Sequence, residues 1–157
     1  MPGANQSGSR SPRDAVEVAV DVFSDRWTFL ILREAFFGVR RYGQMQRNLG
    51  IARNVLADRL RQLVANGLFE RVRYRTDPDW YEYRLTGRAL ELYPMIVGLM
   101  RWADRHFAPE DPNDTLELIH QSCGQPAEPR LVCAHCHEPI TARDVIPRLR
   151  SDQGSPP

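Results

Sequence analysis

Residues 50–85 read GIARNVLADRLRQLVANGLFERVRYRTDPDWYEYRL, and the fold turns on this stretch. Leu56, Leu60, Leu63 and Val64 recur at helical spacing and would bury one stripe, while Asn54, Asp58 and Arg61 fall on the opposite face. The spacing predicts an amphipathic helix with one side left free. Asn66-Gly67 ends it with residue types that tolerate a left-handed C-cap. The pattern then turns extended through Phe69, Val72 and Tyr74, and again through Tyr81, Tyr83 and Leu85. Thr76-Asp77-Pro78-Asp79 supplies the turn between the two runs. A helix followed at once by a hairpin whose first arm carries Arg71, Arg73 and Arg75 has the layout of a winged helix-turn-helix, mainly α with a small β-hairpin.

Working outward toward the N-terminus, Val16, Ala19, Val20 and Phe23 predict a first helix, capped by Asp14 and ending near Ser24-Asp25. A second helix begins around Trp27. Trp27, Leu30, Ile31, Ala35 and Phe37 lie close to one of its stripes, which predicts a core helix stopped by Gly38. Val39 to Tyr42 is long enough only for an edge bridge. Gly43 to Leu49 is the first helix of the helix-turn-helix, Gly50 closes it, Ile51 packs in the turn, and the recognition helix starts near Ala52. Residues 1–12 are rich in Gly, Ser, Pro and Asn, the composition of a disordered arm.

Working outward in the other direction, Thr86-Gly87 opens a long final helix that Pro94 should kink. Leu90, Leu92, Tyr93, Ile96, Val97, Leu99 and Met100 make it apolar around much of its circumference. One small domain cannot cover that much apolar surface. The surplus predicts a two-fold homodimer formed through Leu92, Tyr93, Ile96, Leu99 and Met100, with the first helix contributing. Two recognition helices would then stand about one DNA turn, ~34–36 Å, apart on a pseudo-palindrome. Met95, Met100 and Trp102 would suit a ligand pocket between these helices, although the sequence names no effector.

Several separate pieces, RWTFLILR, FFGVRRY, LADRLRQL, YEYRLT and LMRWADR, resemble the HxlR-type winged-helix transcriptional regulators, relatives of the MarR group. The resemblance spans Asp14 to Phe107, and residues 13–107 are accordingly expected to form the DNA-binding and dimerisation domain. It implies a transcriptional regulator rather than an enzyme, with double-stranded DNA as its partner. Two positions depart from the pattern. Many such proteins carry a redox-sensing cysteine near the start of the first helix where this chain has Asp14, so thiol switching there is not expected. Relatives often cap the recognition helix with Ser or Thr where this chain has Ala52.

Charge along the chain agrees with such a partner. Arg26 to Arg88 holds thirteen arginines against six acids, a net +7, whereas Ala89 to the end carries a net −4, so the near balance of the whole conceals a basic half. No apolar run approaches the ~20 residues a membrane span needs, which leads us to expect a cytoplasmic protein. Within the basic half, Arg53 and Asn54 stand where a recognition helix reaches base edges, with Arg bidentate to guanine and Asn to adenine. Arg59 and Arg61 flank the same face, and Asp58 is read as making pairs within the helix. Arg40, Arg41 and Arg47 are candidates for phosphate contacts. The alternation of Arg71, Arg73 and Arg75 puts all three on one side of the strand, with Arg75 nearest the tip and suited to a minor groove.

The composition changes after Phe107. Residues 108–142 read as a linker and a Cys/His appendage, and 143–157 as a disordered tail. All three cysteines lie in LELIHQSCGQPAEPRLVCAHCHEPI. His120 and Cys123 form one pair and Cys133 and Cys136 another, four soft donors at knuckle-like spacing that imply a structural Zn2+. A thiol- or metal-responsive switch is the alternative use of these cysteines, and a winged-helix protein-interaction module is the alternative use of the basic domain. There is no Ser/His/Asp set, phosphate loop or pair of carboxylates to suggest other chemistry.

Overall fold

The computed structural model describes residues 15–23, 25–107 and 116–146. In chain order these form α1 (Ala15–Val22), α2 (Arg26–Phe36), α3 (Tyr42–Leu49), α4 (Arg53–Ala65), β1 (Phe69–Thr76), β2 (Asp79–Leu85), α5 (Gly87–Leu90) and α6 (Tyr93–His106). The expected arm, the cap at Asp14, the linker near 108–114 and the end of the tail fall outside the described residues. The chain divides into two compact units between Met100 and Arg101.

In the first unit, the core gathers Ile31 and Leu32 from α2, Met45 from α3, Leu56, Leu60 and Leu63 from α4, and Phe69 from β1. Burying each such side chain stabilises the fold by roughly 1.5–3 kcal/mol relative to leaving it in water. The leucine stripe expected of α4 is therefore its packed face. Asp25 starts α2, its carboxylate accepting from the amides of Trp27 (2.8 Å) and Thr28 (3.2 Å) and from the Thr28 hydroxyl (2.9 Å). That last bond allows Thr28 to be buried. The inward face of α2 consequently runs Thr28, Ile31, Leu32 and Ala35, rotated from the expected stripe, and Phe37 is left 39% exposed just past the helix.

At the far end of α4, Gly67 takes φ +70°, its amide donating to Val64 O and the Leu68 amide to Leu63 O. This is the Schellman stop that Asn66-Gly67 foretold, with Leu68 buried behind it. The chain then runs straight into the hairpin. β1 and β2 pair antiparallel from Phe69↔Leu85 to Thr76↔Asp79. In place of the edge bridge expected of Val39 to Tyr42, a single backbone hydrogen bond ties this segment to the wing, the Tyr83 amide donating to Arg40 O at 2.8 Å.

Two expectations are corrected. The final helix is not one kinked rod: α5 ends at Leu90, and α6 starts afresh at Tyr93. Pro94 lies in the first turn of α6, where its missing N–H costs no intrahelical bond, so it begins a helix instead of bending one. The side of the wing that Arg75 faces also differs. A bulge between Arg73 and Arg75 pairs Arg73 with Tyr81 but Arg75 with Trp80. Directly paired residues share a face and neighbours along a strand alternate, so Arg71 and Arg73 share one face while Arg75 crosses to the other.

The second unit begins with the last turns of α6. There Arg101 donates from both Nε and a terminal nitrogen to Ala127 O, at 3.1 and 2.6 Å. Residues 116–146 contain two isolated antiparallel bridges, Ile119↔Pro126 and Val132↔Pro139, and none of these residues is buried. No helix among the described residues is long and apolar enough to cross a membrane.

Candidate nucleic-acid interface

The leading end of α4 is presented by two ties. Tyr42, at the start of α3, donates its hydroxyl to the Arg53 carbonyl at 2.6 Å, fixing the first turn of α4 against α3. Behind it, the buried Glu34 of α2 accepts from Asn48 of α3 at 2.6 Å and from Arg33 at 2.8 Å. Neither tie was read from the sequence. An acid inside the apolar stripe of a helix was the available signal for Glu34, since a carboxylate there needs a partner. Nothing local announced Tyr42, whose partner lies eleven residues away.

With α4 held in this way, Arg53 and Asn54 are both exposed at its N-terminus. Arg61 is also outward, its side chain 77% exposed and touching Asp58 at 3.3 Å. Asp58 in turn accepts from Gln62 at 3.0 Å, so it is occupied by pairs along its own helix, as expected. Arg59 is placed differently. Its Nε lies 3.1 Å from Asp25 Oδ2 and its terminal nitrogen donates to Gln62 at 2.8 Å. The side chain is only 26% exposed, because it is turned back onto the start of α2.

The remaining arginines fall into two groups. Arg71 stacks over the Tyr81 ring at 3.6 Å, Arg41 over Tyr74 at 5.0 Å, and Arg73 meets Asp79 at 3.4 Å. These guanidiniums are held against the wing by aromatic faces or a carboxylate and remain exposed at their edges. Arg40, Arg47, Arg53 and Arg75 are exposed and form no ion pair among the described residues. Between the start of α3 and the wing lies a cleft of about 410 Å³, lined by Arg41, Tyr42, Arg47, Tyr74 and Trp80 among others. Its walls combine two cations with aromatic rings, the surface chemistry of a nucleic-acid backbone contact.

A second groove, of about 640 Å³, runs between α1, the end of α4 and α5, with Arg88 and Glu91 on its rim. Met95, Met100 and Trp102, expected to suit a pocket, do not line it. Of the residues expected at a dimer contact, Ile96 is 5% exposed within the single chain and already spent on its packing. Leu99 is 50% exposed, Tyr93 stays half out while its ring packs on Phe36 at 5.2 Å, and Leu92 and Met100 are half-buried.

In the appendage, the four soft donors come together as pairs. His120 Nδ1 lies 3.3 Å from Cys123 Sγ. The amides of Cys136 and His135, and then the Cys136 side chain, hold the Cys133 thiol below its ordinary range against a small opposing effect of burial. Among the described residues, no three His, Cys, Asp or Glu side chains stand together as a group able to hold a metal.

The model of the HxlR-like helix-turn-helix family matches residues 22–111 of this chain. An uncharacterized HTH-type transcriptional regulator of Mycobacterium tuberculosis is 53% identical over 135 residues, covering 85% of this chain and 84% of that protein. The crystal structure of PA1607, a candidate transcription factor, superposes with a TM-score of 0.77 at 35% identity, over 88% of this chain and 96% of its own. The redox regulator HypR in its reduced form gives a TM-score of 0.57 at 26% identity, over 60% of this chain and 95% of its own. The first two similarities are too long to end at Phe107, so part of each lies in the appendage.

Proposed function

The chain belongs to the HxlR-like helix-turn-helix family of transcriptional regulators, and from that premise we propose that it acts as a homodimer reading a pseudo-palindromic DNA operator. The observation that carries this reading is the leading end of α4, where Arg53 and Asn54 project outward while Tyr42 fixes the backbone beneath them. In the major groove, Arg53 pairs with guanine and Asn54 with adenine, each contact worth about 1–3 kcal/mol of discrimination. Arg40, Arg41 and Arg47 grip the phosphates on one flank and give register without reading sequence. On the other flank, Arg71 and Arg73 line one face of the wing, and Arg75 reaches forward from the opposite face near its tip. Arg61 is free to meet DNA along the groove, whereas Arg59 serves the protein interior through Asp25.

The dimer follows from apolar surface that the single chain leaves uncovered. Leu99 and Tyr93 on α6 and Val20 on α1 are all exposed, and a second copy related by a two-fold axis would cover the same patch on both partners. Selecting bound duplexes from a random pool tests the whole reading. Two inverted half-sites about one helical turn apart are expected for the unaltered protein. Arg53→Ala with Asn54→Ala should leave the oligomer intact while flattening the selected sequence. An unchanged preference in that variant would overturn the assignment of α4 as the reading helix.

A further inference from the structure

The appendage uses one backbone turn twice. Residues 119–126, IHQSCGQP, and 132–139, VCAHCHEP, share the order apolar residue, metal-type ligand, two residues, Cys, a left-handed residue, one residue, Pro. Each turn is closed by an antiparallel bridge between its first and last residues, Ile119↔Pro126 and Val132↔Pro139. In each, the amide of the first ligand residue donates across the turn, His120 to Gln125 O and Cys133 to Glu138 O, both at 2.9 Å. In each, the carbonyl of that residue accepts from the left-handed one, Gly124 or His137, at 2.8 Å. Gly124 has φ +69° and His137 has φ +62°, the one described non-glycine residue with a positive φ. The second turn therefore keeps the shape of the first although it must hold a side chain in a disfavoured region.

Such duplication needs a physical reason, and apolar packing does not provide one. No residue of 116–146 is buried, and Leu131, Val132 and Ile146 are all exposed. A segment this short without a core ordinarily depends on a cross-link or a metal. The side chains the two turns present are three thiols and an imidazole, the donor set of a tetrahedral Cys3His site. Their spacing within the first turn is already suitable: His120 Nδ1 and Cys123 Sγ are 3.3 Å apart. Two ligands at Zn–N ~2.0 Å and Zn–S ~2.3 Å, separated by the tetrahedral angle, would stand ~3.5 Å apart.

We propose that the appendage is a double knuckle that binds one thiophilic divalent cation, Zn2+, through His120, Cys123, Cys133 and Cys136. The turns preset the ligands as two pairs, and the cation draws the pairs together as it binds. Each thiol gives up its proton to solvent and binds as thiolate, while the imidazole binds neutral, which leaves a site of net charge −1. His135 and His137 lie within the second turn but off the two repeated ligand positions, and the assignment excludes them.

The test uses the full chain, reduced and stripped of metal, titrated with Co2+ as the probe. Thiolate-to-cobalt charge transfer and the strong ligand-field bands of a tetrahedral ion should saturate at one Co2+ per chain and be displaced by Zn2+. Cys123→Ser, Cys133→Ser, Cys136→Ser and His120→Ala should each lose stoichiometric binding while the far-UV circular dichroism of the winged helix stays unchanged. His135→Ala and His137→Ala should keep both bands and stoichiometry. Weak octahedral cobalt spectra, full binding by Cys123→Ser, or loss of the bands in His135→Ala in place of His120→Ala would each overturn the proposal. A reduced chain that binds no Co2+ yet readily oxidises Cys133 and Cys136 to a disulfide would overturn it in favour of a thiol switch.

Discussion

At Asp25 one carboxylate divides its oxygens between the start of α2 and the flank of α4. It accepts from two amides and the buried Thr28 hydroxyl and stands 3.1 Å from Arg59. The two jobs separate by substitution. Asp25→Asn keeps an oxygen for the amides and loses the ion pair with the partly exposed Arg59, a cost of about 0.5–1 kcal/mol after solvent screening. Asp25→Ala also removes the cap and leaves the Thr28 hydroxyl without its partner, which together should bring the loss to about 2–3 kcal/mol. Urea unfolding of the two variants measures the difference. Equal losses would mean that the ion pair, not the cap, is what Asp25 contributes. The sequence made Arg59 look like a DNA contact because it lies on the flank of the free face of α4. Within the chain it pairs with Asp25, 34 positions upstream, and helical spacing carries no information about such a pairing. Arg53 and Asn54, by contrast, were legible, because the stripe of Leu56, Leu60 and Leu63 alone determines which way they point.

At the scale of elements, local signals succeeded where one residue type decides a boundary. Gly50 and Gly67 end their helices with positive φ as their positions require. Periodicity failed where two readings share one pattern: an apolar run interrupted by Pro94 fits either a kinked rod or a fresh start, and only the turn at Glu91-Leu92 distinguishes them. The wing shows the same limit. Strict alternation put Arg75 with Arg71 and Arg73, but the bulge after Arg73 reverses its face, and an extra residue in one strand has no signature in a chain read by itself. The consequence for DNA is testable. Arg75 near the wing tip is expected to act on the duplex independently of α4, so Arg75→Ala should weaken binding about equally for all duplexes and reduce the salt slope by about one. Fluorescence anisotropy across a salt series, on an operator and on a scrambled duplex, would measure both. A loss confined to the operator would move Arg75 from backbone contact to base reading.

For the whole molecule, the proposed reading of an operator requires two copies of α4 held at a fixed spacing, and the surfaces that could hold them are unevenly prepared. α1 has no buried residue, and its Val20 is 56% exposed. An amphipathic helix left this open gains little from folding alone. α6 is half committed: Ile96 and Val97 are packed within the chain, while Leu99 on the next turn is 50% exposed. The sequence expectation named Leu92, Tyr93, Ile96, Leu99 and Met100 for the interface, and of these Ile96 is already packed within the chain. Hydrophobicity does not say which side of a helix its own core has already claimed. What remains gives a sharp prediction. Leu99→Asp places a charge in the uncovered patch without touching Ile96, Val97 or any residue assigned to DNA. It should yield a folded monomer by sedimentation, with the thermal transition of α2 to α4 preserved. Each monomer should still bind a single half-site weakly through Arg53 and Asn54, but the paired operator should lose its advantage over one half-site, because the second contact would no longer be intramolecular. If Leu99→Asp sediments as a dimer and retains that advantage, the two copies meet elsewhere, and the exposed face of α6 has another use.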